Sequence, residues 1–204
     1  MTHLFTSPET WLGGHFEVSL TFEGMEDDQL QMAFEAIWSH PYVQGVYLDR
    51  NMEPENQTCV AASQVDLWTE SAQGTMKLPS GLRLPFAILV VRADGEDCLD
   101  IGIPMGALDH ALGKVERGFY SNWNVLGASP VAAIREIEDF LAELAALVFT
   151  HVEFGVGVIG WETSGTQDTH KIQERGIPEV RDVGYLLPEG GRLRYYPRTA
   201  YPQF

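Results

Sequence analysis

Residues 129–150 form the segment that most restricts how this chain can fold. Ser129 is a favoured residue just before a helix and Pro130 is favoured at its first position, where a backbone donor is not needed. Apolar residues then recur at spacings of three and four: Ile134, Ile137, Leu141, Leu144 and Val148. Acidic residues are predicted to lie on the other side: Glu136, Glu138, Asp139 and Glu143. This pattern predicts one long amphipathic helix that must bury its apolar stripe against a sheet.

Two parts of the chain have the patterns of strands that could form this sheet. Residues 15–22 alternate apolar and polar side chains, with the two-residue period of a strand that buries one face. Residues 84–92 contain the continuous apolar run FAILVV. An acidic turn with a glycine, at residues 94–97, separates this run from a further apolar stretch at residues 98–103. The last two stretches are therefore predicted to pair as a hairpin.

The N-terminal quarter predicts a second helix between two strands. Residues 26–39 contain an apolar stripe at helical spacing, and Pro41 ends it. Residues 44–50 are predicted to be a strand, which would complete a β-α-β unit with residues 15–22. Residues 59–68 are a further candidate strand, and the Gln73-Gly74 pair is a turn signal.

These elements predict an α+β fold. We expect a mixed, largely antiparallel sheet with two main helices, residues 26–39 and 129–150, packed on one face. A chain of 204 residues is most simply one domain, which can bury about 70% of its unfolded surface. Residues 176–204 are rich in proline, tyrosine and arginine, and we expect them to form a C-terminal extension docked on the body.

The charge of the chain restricts the partners that it can bind. The net charge is −16, and residues 1–49 contain eight acidic residues but no lysine or arginine. Residues 175–204 contain five arginines and three acidic residues, so all of the excess negative charge lies before them. Such a body would repel nucleic acid and anionic membranes and attract basic partners. The alternative explanation is that the acidic residues only maintain solubility.

The sequence also favours a cytoplasmic location. The first basic residue is Arg50, so the N-terminus lacks the basic start of a secretory signal, and no apolar segment approaches the length of a membrane span. The two cysteines, Cys59 and Cys98, are too few for a disulfide framework. We expect both thiols to be buried, and the oligomeric state remains open.

The heptapeptide FGVGVIG at residues 154–160 matches the dinucleotide-binding pattern G-x-G-x-x-G. That motif must lie between a strand and a following helix, yet here a long helix precedes the glycines and no helical stripe follows them. We therefore interpret residues 151–161 as a strand and expect no cofactor. One strand face would contain His151, Glu153, Gly155, Gly157, Ile159 and Trp161.

That strand face is the alternative site for a small molecule. Gly155 and Gly157 would leave a shallow space beside His151, Glu153 and Trp161, as a sensor or a hydrolase-like enzyme requires. No third ligand accompanies His151 and Glu153 at a recognisable spacing, so no metal site is predicted. The chain has no nucleophile elbow, zinc-protease motif or P-loop. These absences favour a protein without catalytic activity.

The function that the sequence favours is that of an acidic module that docks on a basic protein and neutralises it. The candidate contacts are two acidic groups and two loop aromatics: Glu26, Asp27, Asp28, Glu136, Asp139, Glu143, Tyr120 and Trp123. In size and charge alone the chain resembles the immunity proteins that inhibit bacterial toxins, and it contains no motif that would identify such a family.

Removal of residues 190–204 should lower the melting temperature, because a cationic segment docked on an acidic body stabilises it. Differential scanning calorimetry of the truncated and full chains measures this. Equal melting temperatures would show that the segment is not docked.

Overall fold

A computed structural model describes residues 3–67, 70–93, 96–112, 130–164, 172 and 174–200. Its elements, in chain order, are β1 (His15–Phe22), α1 (Asp27–Ser39), β2 (Val43–Tyr47), β3 (Ala72–Lys77), β4 (Arg83–Ala93), β5 (Glu96–Pro104), α2 (Met105–Leu112), α3 (Pro130–Phe149), β6 (Val156–Trp161), β7 (Gly184–Glu189) and β8 (Arg192–Tyr196). The strands form one eight-stranded sheet in the order β2-β3-β4-β5-β1-β6-β7-β8. Every pairing in the described part of the chain is antiparallel, and the predicted α+β class is confirmed.

Strand β1 lies at the centre of the sheet, between β5 and β6. Its residues Phe16, Val18 and Leu20 are buried on the side covered by α3, which also packs against α1. We call this side of the sheet the helix face. Its polar residues Glu17 and Ser19 alternate with the apolar ones and point to the other side, which we call the opposite face. Both are also buried, so β1 is covered on both sides.

The hairpin of β4 and β5 forms as predicted, but the β-α-β unit is not compact. Strands β1 and β2 run in the same direction, and three antiparallel strands separate them in the sheet. One of these strands, β3, contains the Gln73-Gly74 pair that was predicted to be a turn. The candidate strand at residues 59–68 is also wrong, because its described part contains only a short 3₁₀ turn, Ala62–Gln64.

Packing explains why Gly74 lies inside a strand. A Cβ atom at this position would lie 2.3 Å from the ring of Trp38 and 2.7 Å from Phe86. The absence of a side chain therefore allows Trp38, at the end of α1, to lie directly on β3 and to stack at 5.0 Å on the Phe86 ring. This contact fixes α1 against the sheet.

A buried ion pair joins the C-terminal residues to α3. Strands β7 and β8 form an edge hairpin, and Arg198 follows β8. Its Nε lies 2.6 Å from Oε1 of Glu138, and both side chains are almost fully buried. The Arg198 guanidinium also lies 5.7 Å from the centre of the Phe16 ring. Burial raises the pKa of Glu138 to about 7, and the Arg198 charge opposes this. The sequence-based placement of Glu138 on the exposed side of the helix is therefore wrong.

The two cysteines differ from the expectation that both are buried. Cys59 is exposed, whereas Cys98 on β5 is partly buried. Among the helices of the described residues, none combines the length and the apolar composition needed to cross a bilayer.

Substitution Arg198→Ala should lower the free energy of unfolding at pH 7 by about 3 kcal/mol, because it leaves the buried Glu138 carboxylate without its partner. Urea unfolding followed by circular dichroism measures the change. The matched control is Arg194→Ala, which removes an arginine whose ion pair with Glu189 is exposed, and which should change stability little. Equal effects of the two substitutions would contradict the importance of the buried pair.

Candidate functional site

The six predicted acidic contacts fall into two separate groups. Asp27 accepts a hydrogen bond from Arg92 at the far end of β4. Glu136 accepts one from the backbone of Ser80, just before the start of the same strand. Because a strand rises about 3.3 Å per residue, the two groups lie about 30 Å apart along the sheet. A single continuous acidic patch is therefore not formed.

The first group, Glu26, Asp27 and Asp28, stabilises the start of α1. The Glu26 backbone N–H donates to the Gln29 side chain at 3.1 Å, and the Asp28 carboxylate accepts from the Gln29 backbone N–H at 2.9 Å. Asp27 pairs with Arg92 at 2.9 Å. Carboxylates stabilise a helix at this end, where the backbone N–H groups are unpaired. These three residues therefore have a structural role within the chain.

The second group lines a groove of about 530 Å³ beside α3. Its lining consists of Pro79, Ala132, Arg135, Glu136, Asp139, Phe140 and Glu143. All three predicted acidic residues of α3 thus contribute to one concave surface, which also has an apolar floor formed by Pro79, Ala132 and Phe140. A helix places residues three and seven positions apart on one side, which explains this convergence.

The three carboxylates of the groove keep part of their hydrogen-bonding capacity for solvent. Glu136 accepts from the Ser80 backbone N–H at 2.6 Å, and Glu143 contacts the buried His40 ring at 3.2 Å. The Glu143 side chain is nevertheless 63% exposed. Partial burial raises the pKa of Asp139, and the neighbouring Arg135 opposes this. The groove has three acidic residues and one basic residue, which makes its formal charge negative.

The predicted aromatic contacts Tyr120 and Trp123 lie outside the described residues. The same is true of the whole segment at residues 113–129.

The alternative small-molecule site is not built as predicted. Strand β6 begins only at Val156, because the chain after α3 continues in a turn in which His151 and Val152 donate backbone hydrogen bonds to Val148. His151 and Glu153 are therefore exposed turn residues and do not share a strand face with Trp161. The predicted strand start at residue 151 is wrong.

The strand interpretation predicted that Gly155 and Gly157 relieve crowding on one strand face, and of these two only Gly157 lies within β6. A Cβ atom on Gly157 would lie 3.0 Å from Leu186 and 3.1 Å from Leu20. Side chains of the neighbouring strands thus occupy the space that was expected to be a small-molecule pocket. Gly155 precedes the strand and donates its backbone N–H to the carbonyl of Thr21.

A cluster that the sequence analysis missed lies on the opposite face of the sheet. Glu17 of β1 and Asp100 of β5 are 6% and 2% exposed, and we call them the carboxylate pair. Ser19, which is 3% exposed, pairs directly with Asp100 on the neighbouring strand and lies on the same face. Glu17 is the diagonal neighbour of Asp100, a spacing of about 7–8 Å between Cα atoms.

Burial dominates the electrostatics of the carboxylate pair. It raises the pKa of Glu17 to about 7, and the charges of Asp100 and Glu162 act in the same direction. A hydrogen bond of 2.9 Å from the Ser164 backbone N–H to Oε1 of Glu17 opposes the rise. Burial also raises the pKa of Asp100, while hydrogen bonds from the Ser19 and Ser164 side chains and the charge of His15 oppose the rise. Burial therefore favours the protonated form of both carboxyl groups.

Two further titratable groups border the carboxylate pair. Burial lowers the pKa of His15, which precedes Glu17 by two residues on the same strand face. Burial raises the pKa of the Cys98 thiol, which lies 3.8 Å from the Thr21 hydroxyl. Nowhere in the described ranges do three histidine, cysteine or acidic residues come together as a metal site would require.

Comparison with known proteins found no matching family model, no similar curated protein and no similar solved structure. The function is therefore inferred from the residues of this chain.

Substitution Glu17→Gln should make the free energy of unfolding less dependent on pH. The native state holds a proton on Glu17 up to about pH 7, whereas the unfolded chain loses it near pH 4.5, so the wild type loses stability as the pH rises between these values. The difference in free energy of unfolding, variant minus wild type, should therefore increase by about 3 kcal/mol as the pH rises from 4.5 to 8. Urea unfolding across this range measures the difference, with the exposed Glu153→Gln as control. A pH-independent difference would contradict the raised pKa.

Proposed function

We propose that this protein is a non-catalytic acidic module that docks on a basic protein partner and neutralises it. The observation that supports this most strongly is the convergence of Glu136, Asp139 and Glu143 on one groove beside α3. A lysine or arginine side chain has the length and the charge to enter such a groove, with its aliphatic part against the apolar floor.

The overall charge supports the same proposal. A net charge of −16 accelerates the approach of a basic partner and repels nucleic acid. The groove would then provide the specific contact, since a partly desolvated ion pair contributes more than a fully exposed one. The acidic groups at the start of α1 would contribute only to the long-range attraction, because their hydrogen bonds serve the helix.

Inhibition of a bacterial toxin in the cytoplasm is the particular form of this function that we propose. An immunity protein requires a stable fold, a high charge opposite to that of its toxin, and no catalytic centre of its own. The fold and the charge of this chain are compatible with that role, and the absence of a catalytic motif in the sequence favours it.

The test compares two triple variants with the same change of charge. One is Glu136→Gln/Asp139→Asn/Glu143→Gln in the groove, and its matched control is Glu26→Gln/Asp27→Asn/Asp28→Asn at the start of α1. The amide oxygens can still accept the hydrogen bonds that Glu136, Asp27 and Asp28 accept within the chain, so both variants should fold. Affinity capture from bacterial lysate at low and high salt would first identify a basic partner, whose purified form is then used for kinetics.

We expect the groove variant to bind this partner at least tenfold more weakly, mainly through faster dissociation. The control should only slow association at low salt, because it alters the long-range field and not the contact. Equal losses of affinity in both variants would remove the groove from the proposal. Association that is insensitive to salt would contradict the electrostatic mechanism as a whole.

A further inference from the structure

We propose that a cavity beside α2 binds a small organic carboxylate with an apolar body. The cavity has a volume of about 680 Å³, and its lining comes from α2, the segment before β1, and the residues that connect β3 to β4. It shares no lining residue with the groove beside α3, since Pro79 lines the groove whereas Ser80 and Gly81 line the cavity. The inference therefore does not depend on the proposed protein partner.

The size and the walls of the cavity suit a small molecule. Apolar side chains from three parts of the chain form its walls: Leu4, Leu82, Leu84, Pro85, Ala107 and Ala111. Small-molecule sites are typically cavities of about 300–1,000 Å³ with apolar walls and a few polar groups that orient the ligand. The apolar part of a ligand would lie against these walls.

Glu53 fixes the wall that the segment before β1 contributes. Its buried carboxylate accepts the backbone N–H groups of Leu4, Phe5 and Thr6 at 2.8 to 3.2 Å, and the Thr6 hydroxyl at 2.6 Å. Phe5 also packs edge-on against Tyr47, with ring centres 5.7 Å apart. These contacts hold Leu4 at the cavity, and a wall that is already ordered lowers the entropic cost of binding.

Arg83 is the group that would recognise the carboxylate. It lines the cavity, and among the described residues no acidic side chain lies within ion-pair distance of it. Its Nε and one terminal nitrogen contact the Thr75 hydroxyl at 3.4 and 3.3 Å, which occupies one edge of the guanidinium. The edge with the two terminal nitrogens can donate two parallel hydrogen bonds to one carboxylate.

Lys77 adds a second positive charge beside Arg83. The two residues are direct partners in the pairing of β3 with β4, so their side chains lie on the same face of the sheet. Like charges at such a position destabilise a sheet, and in the described part of the chain Lys77 has no acidic side chain within ion-pair distance either. A bound carboxylate would offset this repulsion. In a chain with a net charge of −16, two adjacent cations of this kind indicate an anionic ligand.

An acidic residue of the lining limits the charge of the ligand. Glu55 also lines the cavity, and its carboxylate would repel a second anionic group. A ligand with one negative charge therefore fits better than a phosphate monoester, whose charge is about −1.5 to −2 near neutral pH. The imidazole of His110, on α2, provides a further N–H donor.

The experiment titrates the ¹⁵N-labelled full chain with 4-fluorobenzoate, with its uncharged analogue 4-fluorobenzamide, and with acetate. We expect 4-fluorobenzoate to cause saturable shifts of the Leu82 and Ala111 amide resonances, which report on two different walls, and none at Gly157 in β6. The other two compounds should bind at least tenfold more weakly, because the amide lacks the charge and acetate lacks the apolar body. Equal affinity for 4-fluorobenzoate and either analogue, or unchanged Leu82 and Ala111 resonances, would overturn the proposal.

Two arginine variants separate recognition by Arg83 from a general effect of charge. Arg83→Gln should weaken binding of 4-fluorobenzoate at least tenfold. Its matched control is Arg192→Gln, which makes the same change of net charge at an exposed position of the edge strand β8 and should leave the affinity unchanged. Equal affinities of Arg83→Gln and the wild type, or equal losses in both variants, would overturn the proposal.

A third variant tests the cavity without a change of charge. Ala111→Leu adds apolar volume to the α2 wall, and leucine is also a good helix former. The variant should retain the circular dichroism spectrum of the wild type and bind 4-fluorobenzoate at least fivefold more weakly, because its larger side chain occupies space that the ligand needs. An unchanged affinity would show that the ligand does not enter the cavity and would overturn the proposal.

Discussion

The burial of β1 on both sides is the constraint on which the rest of the structure depends. Its apolar residues Phe16, Val18 and Leu20 are buried on the side covered by α3, while Glu17 and Ser19 are buried on the opposite face. Strand geometry allows no other arrangement, because successive side chains must alternate between the faces. Any shift of β1 by one residue would exchange the apolar and polar sets, so the register of the whole sheet is tied to this strand.

The groove beside α3 and the carboxylate pair on the opposite face both follow from this arrangement. On the helix face, the apolar residues hold α3 so that Ile137, Leu141 and Leu144 point inward, and Glu136, Asp139 and Glu143 therefore lie along the groove. On the opposite face, pairing of β1 with β5 places Ser19 against Asp100. A polar residue that would be solvated on an ordinary one-sided strand thus becomes part of a buried cluster.

The acidic residues of this chain have several distinct roles, although its sequence presents them as one surplus of charge. Asp27 and Asp28 stabilise the start of α1, Glu138 forms a buried ion pair with Arg198, and Glu136 contacts the turn before β4. Burial decides which of these roles a carboxylate takes, since it determines whether water or a protein group solvates the charge. Composition alone therefore overestimated the acidic surface available to a partner.

The sequence by itself determined the local elements, because their patterns depend on neighbouring residues. The three-and-four spacing defined α1 and α3, and the apolar runs around residues 94–97 defined the β4–β5 hairpin. Tertiary structure alone decided that Gln73-Gly74 belongs to a strand, since the requirement for Gly74 comes from the distant Trp38 ring. It also decided that Glu17 and Asp100 meet, and that Arg198 reaches Glu138. The Glu138–Arg198 and Glu17–Asp100 contacts join residues 60 and 83 positions apart, and a local pattern contains no information about such pairings.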